Sequence, residues 1–413
     1  MSSESIGCLG INNNLKLVCI LLLMDGHDIV VVGAGPAGLQ YARELADEYD
    51  VAIYEKDSDI TERKKSTGGT FPEMMDEFDI PESLAMAETD EVVFTSPNSE
   101  SRVDVDGYVL EYGDFLEYLS EEAQNQGAEL NLDSNVTGYN TDTKGDINSI
   151  NVDGREVKAD LFVDASGPEA VIARDYLGLN PNEDDRWIGV EQELRGGDYD
   201  GQMVFEFGDV ALGGYAWAFD AGENTKVGVC WSKEFFSKQG GEGTLQDYLQ
   251  DWIAQLELEN NSVEEVHAGS AFSYPFDVDR SGDRFLAVGD TVASINPLLL
   301  EGIRPGMQSA RYAAEITDQA MEQSDLSVRN LQRYDQKWDE EKGKSFRKQK
   351  LAQELIYQLD EERLDQTIEN VGKLDDELVE DFVHYDLNLR DMWKIYPSLK
   401  ARDLVRVGRF LSK

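Results

Sequence analysis

The sequence predicts an α/β protein: a Rossmann-like dinucleotide-binding domain with an inserted antiparallel β-sheet domain and a helical C-terminal region. Three observations carry that expectation. An apolar strand pattern at residues 28–32 runs directly into Gly33-Ala34-Gly35-Pro36-Ala37-Gly38 and then into a helical pattern. Two later apolar strands, near residues 160–164 and 283–290, end in Asp-x-x-Gly and Gly-Asp. Between them, residues 187–275 change to short strands separated by glycines, the mark of an antiparallel sheet.

The bulk properties agree with a folded protein of this size. At roughly 100–200 residues per domain, 413 residues allow two or three domains. Hydrophobic residues make up 41% and aromatics 9%, enough for a sizeable core, so general disorder is excluded. The chain carries 83 acids against 37 bases, a net charge of −46. Such a field repels phosphate and excludes nonspecific nucleic-acid binding over most of the surface. The acids are spread through the chain, which fits solubility chemistry in a salt-rich cytoplasm of the halophilic archaeal kind. A surface for cations or basic partners is the other reading. Three cysteines and three scattered histidines offer no disulfide scaffold and no metal-ligand spacing, so no metal is expected. No apolar run approaches the ~20 residues of a membrane span.

Residues 1–24 read as a disordered leader or an over-extended start. The apolar run Leu15–Leu23 has no basic region before it and no small-residue cleavage site after it. The first unit then follows at once. Strand 28–32 leads through the glycines to a helix carrying Leu39, Ala42, Leu45 and Ala46, and strand 51–54 ends at Glu55. Gly33 permits the tight turn, Gly35 lets a pyrophosphate approach the backbone, and Gly38 lets helix and strand pack closely. The helix N-terminus, opening at Pro36-Ala37, faces the phosphates. Glu55, roughly 20 residues beyond the first glycine, can accept the ribose hydroxyls. That acid disfavours a 2′-phosphate and leaves FAD or NAD.

The later strands decide for FAD. Strand 160–164 ends in Asp164 and Gly167, with residues 171–179 expected as a helix. Strand 283–290 ends in Gly289-Asp290, followed by Asn296-Pro297-Leu298 and Glu301-Gly302-Ile303, and then a helix through Ala314. This order resembles the flavoproteins of the para-hydroxybenzoate hydroxylase fold. The resemblance implies that Asp290 bonds the ribityl hydroxyls and that the helix starting near Gly302 aims its positive end at the flavin pyrimidine. It also assigns Lys56, Val136, Pro297 and Ile303 to the cofactor. No second G-x-G-x-x-G unit follows, so electrons are expected from an external donor, ferredoxin or reduced nicotinamide.

In the inserted region, strands are expected at residues 187–194, 202–207, 213–219, 226–231 and 266–274, joined by pieces of 76–110. Tyr215, Trp217 and Phe219 alternate and therefore share one face. After eight residues comes Gly228-Val229-Cys230. This Y-x-W-x-F, spacer, G-x-G pattern resembles the geranylgeranyl reductase family, with Cys230 in place of its last glycine. The resemblance covers most of residues 28–410. It implies a flavoenzyme that saturates isoprenoid double bonds of prenyl lipids, with Tyr215, Trp217, Phe219 and Gly228 at the substrate. Ser66-Thr67-Gly68-Gly69-Thr70 stands where that family often has a cysteine, and Thr67, Gly68 and Gly69 are assigned to the substrate. Tyr112 stands where an arginine is usual, just before the helix expected to open at Asp114, and Leu299-Leu300-Glu301-Gly302 replaces a glycine-rich run.

The organisation that follows has the FAD-binding domain in three parts, 25–75, 111–180 and 276–325. The substrate domain comprises 76–110 and 181–275, and the helical C-terminal region is 326–413. The final stretch is basic and amphipathic, with Lys394, Lys400, Arg402, Arg406, Arg409 and Lys413 against Asp403. Peripheral contact with a membrane and simple packing on the body are both open. The expected location is the cytoplasm or the inner face of the membrane. For the proton that completes alkene reduction, Tyr215, a water near the flavin and Glu301 are candidates, and Glu301 reads equally as a helix-start carboxylate. The rival functions on this fold are an aromatic or quinone monooxygenase, a flavin halogenase and a catalytically idle flavin- or lipid-binding paralogue. The halogenase W-x-W-x-I-P signature and paired lysine are not evident.

Overall fold

The computed structural model describes residues 26–62, 66–181, 183–197, 199, 201–272, 278–384, 393–397 and 400–410. The expected leader at 1–24 lies outside the described residues.

Continuous apolar runs make the first sheet. Its strands are β1 (His27–Val32), β2 (Val51–Tyr54), β6 (Glu129–Asn131), β10 (Ala159–Asp164), β16 (Ser281–Gly282) and β17 (Phe285–Ala287). They lie in the order β16-β17-β10-β1-β2-β6, parallel except for β16 against β17. Val31 of β1 sits between Val163 and Ile53. Ile29, Val30 and Val31 are wholly buried, as a central parallel strand covered on both faces requires. Helices α1 (Pro36–Leu45), α3 (Tyr112–Gln126) and α5 (Ile303–Glu322) cover one face, with the short α2 (Pro72–Glu77) beside them. Small residues such as Ala42, Ala310 and Ala313 let α1 and α5 approach, and the Tyr41 hydroxyl meets that of Thr317 at 2.7 Å. The other face is covered by a three-stranded antiparallel sheet, β7 (Val136–Thr141), β8 (Ile147–Val152) and β9 (Arg155–Val157). The sequence reading did not anticipate that sheet.

The second sheet has the order β15-β11-β14-β13-β12-β4-β5-β3. Its strands are β3 (Gly69–Thr70), β4 (Ala85–Ser96), β5 (Ser99–Leu110), β11 (Arg186–Arg195), β12 (Gln202–Glu206), β13 (Gly214–Ala221), β14 (Asn224–Ser232) and β15 (Val263–Phe272). One pairing corrects the antiparallel expectation: β4 and β12 run parallel. The β4–β5 hairpin comes from far upstream, and a long crossover does not impose the antiparallel direction that a tight hairpin does.

β13 is buried along its whole length because both faces of the sheet are covered. On one face α4 (Leu245–Gln255) sets Leu249, Trp252 and Ile253 against Ala216, Ala218 and Val229. The opposite face carries the aromatic rings and meets the C-terminal helices α6 (Lys344–Ile356), α7 (Glu361–Val371) and α8 (Asp376–Val383), while α9 (Ala401–Phe410) packs on α6. A buried ion pair fastens α9 to α7. Arg363 donates to both oxygens of Asp403, at 3.2 and 2.7 Å, and the Lys400 N–H adds a third bond at 2.7 Å.

Two helix expectations change. Residues 171–179 do not form one helix, since only Ala173–Tyr176 is α-helical and Gly178 turns away at φ +70°. α3 starts at Tyr112, two residues before the expected Asp114, because the Glu111 carboxylate accepts the Gly113 N–H.

Candidate active site

The carboxyl ends of the parallel strands collect the first group of expected site residues. β1 leads to Gly33, β2 to Glu55, β10 ends at Asp164, and β17 leads to Gly289-Asp290. Gly33 adopts φ +103°, which a side chain disfavours. At Gly38 a methyl group would lie 2.1 Å from the Gly33 carbonyl, so this glycine is demanded by packing. Gly35 differs: a methyl there would meet nothing within 4 Å. The protein itself does not require that glycine, whereas a pyrophosphate lying on the backbone at the start of α1 does. The Glu55 carboxylate accepts the Ala34 N–H at 2.8 Å and the Asp57 N–H at 3.0 Å, which holds it beside the glycine turn. Pro36 and Ala37 open α1, and Ala37 packs against Gly289. These residues fit a dinucleotide.

Other members of the expected set are placed differently. Asp164 is fully buried. Its oxygens accept the backbone N–H groups of Ser166, Ile172 and Ala173 and the Ser166 hydroxyl, so it ties the turn after β10 and turns inward. Gly167, at φ +73°, donates its N–H to the Thr291 hydroxyl. Lys56 is exposed, and Val136, the first residue of β7 in the small sheet, is buried. Asp290 is half-buried close to Gly302, and burial pushes its carboxyl up to about 6.

The second group lines a large apolar cavity enclosing about 1860 Å³ of empty space, its open mouth included. One wall is the aromatic sheet face, with Tyr215, Trp217, Phe219, Phe205 and Phe94. Glycines let the rings lie flat. A methyl on Gly228 would come 2.1 Å from Trp217, and one on Gly69 would come 2.9 Å from Phe219. Gly228 faces Trp217 directly in the β13–β14 register, while Cys230 faces Tyr215. Gly228 therefore supports the wall from behind. The roof is C-terminal, with Leu355, Leu364, Ile368, Val383, Ile395 and Tyr396. Trp393, 42% exposed, also lines the cavity. The floor is the loop Ser66–Phe71 and the turn Leu298–Ile303, which leads into α5.

Three side chains fix that turn. The Tyr215 hydroxyl donates to the Leu299 carbonyl at 2.8 Å, the Tyr357 hydroxyl to the Leu298 carbonyl at 2.6 Å, and the Gln353 amide to the Pro297 carbonyl. The bonds hold Leu300 at φ +59°, a left-handed conformation costly for leucine. Glu301 follows. Its two carboxylate oxygens are buried and have no hydrogen-bond partner among the described residues. Burial pushes this carboxyl up to about 7, while the charge and backbone N–H of Arg304 pull the other way.

Sequence reasoning missed several contributors. Glu191, 4% exposed, accepts from Trp217 Nε1 at 2.8 Å and from the Thr67 hydroxyl at 2.6 Å. Lys226, also buried, donates to the Thr67 carbonyl at 2.9 Å and the Leu110 carbonyl at 3.3 Å. Together they pin the loop at Thr67-Gly68 to the sheet. The available signal was a charged residue in the middle of each strand, which buries only with a partner. Tyr357, Gln353 and the roof carried no signal, since nothing local says which face a C-terminal helix covers. Glu193, Glu265 and His267 bring ligand-type atoms within 4.8 Å of one another across β11 and β15, a grouping the scattered histidines gave no sign of. No helix among the described residues is long and apolar enough to cross a membrane.

A dinucleotide edge on one sheet, opening beside a long apolar cavity on the other, defines a flavin-dependent oxidoreductase. Comparison with known proteins agrees. The chain is 35% identical to the digeranylgeranylglycerophospholipid reductase of Haloferax volcanii, over 86% of this chain and 92% of that protein. It belongs to the digeranylgeranylglycerophospholipid reductase family. A relative from Methanosphaera stadtmanae, digeranylgeranylglycerophospholipid reductase 2, is 29% identical over 92% of this chain and 98% of its own. A crystal structure of a geranylgeranyl bacteriochlorophyll reductase-like protein from Thermoplasma acidophilum shares the fold, with a TM-score of 0.81 and 21% identity, over 94% of this chain and 99% of that one. A halogenase solved in complex with FAD has a TM-score of 0.67 and 14% identity, over 86% and 81% of the two chains. The tryptophan halogenase family matches residues 63–191.

Proposed function

We propose that this chain is a FAD-dependent reductase of isoprenoid carbon–carbon double bonds in prenyl lipids of the digeranylgeranyl glycerophospholipid class. The observation that carries the reading is the cavity, which is apolar from its aromatic wall to its helical roof and ends at the turn beneath α5. Bound reduced FAD supplies a hydride to an alkene carbon. The rest is the work of the chain. The turn from Gly33 to Gly38 and the start of α1 take the pyrophosphate, and Glu55 takes a ribose. Asp290, Gly302 and Ile303 would take the flavin end, where the positive end of α5 begins. Tyr215, Trp217 and Phe219 give the prenyl chain a wall, and the roof excludes water. An unactivated alkene has no carbonyl to polarise, so no oxyanion hole is required. With one dinucleotide unit, the electrons come from an external donor, ferredoxin or reduced nicotinamide.

The halogenase match favours a second reading over 63–191. Against it, no lysine lines the cavity among the described residues. A peripheral membrane contact draws support from α9, where Leu404 and Val405 are 59% and 55% exposed next to Arg402. Sedimentation with anionic vesicles tests it.

The deciding experiment uses protein purified in molar salt. Its cofactor is reduced without air, a digeranylgeranyl diether phospholipid is added, and flavin reoxidation and lipid mass are followed together. Reoxidation with a gain of two hydrogens per reduced bond is expected. Reoxidation only on admitting oxygen, with oxygen gained by an aromatic or quinone substrate, would replace the proposal with a monooxygenase.

A further inference from the structure

The cavity is almost entirely apolar, and among the described residues lining it Glu301 is the one carboxylic acid. Its two oxygens are shut off from solvent and have no side-chain partner there, and the pull of the Arg304 backbone N–H does not offset their burial. A buried ionised carboxylate without partners is costly, so the site favours the protonated acid. The other protic groups of this region are poorer acids or already engaged. Tyr215 and Tyr357 donate their hydroxyls to the carbonyls of Leu299 and Leu298, and burial pushes both phenols well above their usual range. The Thr67 hydroxyl donates to Glu191. The Cys230 thiol is pushed up to about 12 by burial.

The turn is built to hold Glu301 in place. Hydrogen bonds to three successive carbonyls, from Pro297 to Leu299, keep the chain in the strained conformation at Leu300 that immediately precedes it. Strain of this kind persists where the surroundings over-determine it, and it concentrates at functional sites.

We infer that Glu301 is the catalytic acid of this enzyme, delivering the proton to the second carbon of the substrate double bond. The inference rests on the reductase reading above. One alkene carbon accepts the hydride that reduced flavin supplies, and the other takes the proton from the Glu301 carboxyl. The π bond breaks, two C–H bonds form, and a carboxylate remains until solvent, admitted through the open mouth of the cavity as product leaves, returns the proton. That anion forms next to the N-terminus of α5 and within the field of Arg304 on the same helix and Lys342 ahead of α6, with Glu77 of α2 opposing. Arg304 is itself buried, bonding Glu77 at 3.4 Å and the Val383 carbonyl at 3.1 Å.

The test compares wild type, Glu301→Gln and Glu301→Asp as flavin-loaded full-length enzymes in molar salt. Single-turnover reoxidation by a digeranylgeranyl diether phospholipid is followed across pH. The acid form is needed, so the wild-type rate should fall as pH rises through about 7. Glu301→Gln should lose about 10²-fold or more and show no such pH dependence. Glu301→Asp should recover part of the rate together with the pH dependence. Infrared difference spectra give a readout apart from turnover: a carboxylic C=O band present below neutral pH should vanish in Glu301→Gln. Equal rates and identical pH profiles in wild type and Glu301→Gln would overturn the assignment while leaving the reductase reading intact. Absence of the carboxylic band would also overturn it. If the wild type fails to turn over the lipid at all, the reductase reading falls, and the acid falls with it.

Discussion

The Tyr215 hydroxyl reaches from the aromatic sheet to the Leu299 carbonyl, 2.8 Å away and 84 residues along the chain. One hydrogen bond thus joins the wall of the lipid cavity to the turn that carries Glu301. Tyr215→Phe keeps the ring and removes the bond, leaving a buried carbonyl short of a partner. A stability loss of about 1–3 kcal/mol is expected, read by denaturant unfolding in molar salt. Turnover should slow without any shift in its pH profile, because this phenol is too weak an acid to be the proton source. A pH profile flattened by Tyr215→Phe would reverse the roles of Tyr215 and Glu301.

The glycines of the first turn separate packing from ligand binding. Gly38→Ala drives a methyl toward the Gly33 carbonyl at 2.1 Å and should impair folding. Gly35→Val meets nothing in the protein within 4 Å at its Cβ. It should fold with wild-type circular dichroism yet purify without flavin colour. Retention of stoichiometric FAD by Gly35→Val would show that the cofactor does not cross this turn.

Gly228 lies behind Trp217. Adding a methyl there forces the indole off its glycine, and overpacking of this kind typically costs about 1–3 kcal/mol. The displaced ring breaks the Trp217–Glu191 bond and narrows the cavity. Gly228→Ala should therefore raise KM for the lipid more than it lowers kcat. An unchanged melting temperature and KM would mean that the wall tolerates the shift.

The Arg363–Asp403 pair locks the roof. Asp403 feels burial, which raises its pKa, but the bonds from Arg363 and the Lys400 N–H outweigh it and hold the carboxyl below its usual range. The sign follows: this stabilisation is present above the ordinary carboxylate pKa of ~4 and is lost as pH falls below it. Removing one partner strands a buried charge, at a cost of about 3–5 kcal/mol. Arg363→Met should release α9 first, seen as rapid proteolysis near residue 400 while the sheet domains stay protected. A cleavage rate like that of the wild type would show that α9 is held by its apolar contacts alone.

Local patterns made much of this molecule legible from the sequence. Continuous apolar runs fix parallel strands, glycines fix the turns that admit a dinucleotide, and the alternation of Tyr215, Trp217 and Phe219 places three rings on one face. These are short-range properties, set by backbone sterics and by the two-residue period of a strand. Tertiary structure decided what those faces meet. The parallel pairing of β4 with β12, the three-stranded cover over β10 and the helical roof all depend on partners distant in sequence. So does the inward turn of Asp164, whose oxygens are taken by neighbours that appear only once the loop closes. Glu301 shows the division most plainly. As a residue in a sequence it is a helix-start carboxylate or an acid, and burial without partners favours the second, because desolvation is a property of everything packed around a group and of nothing in its local sequence.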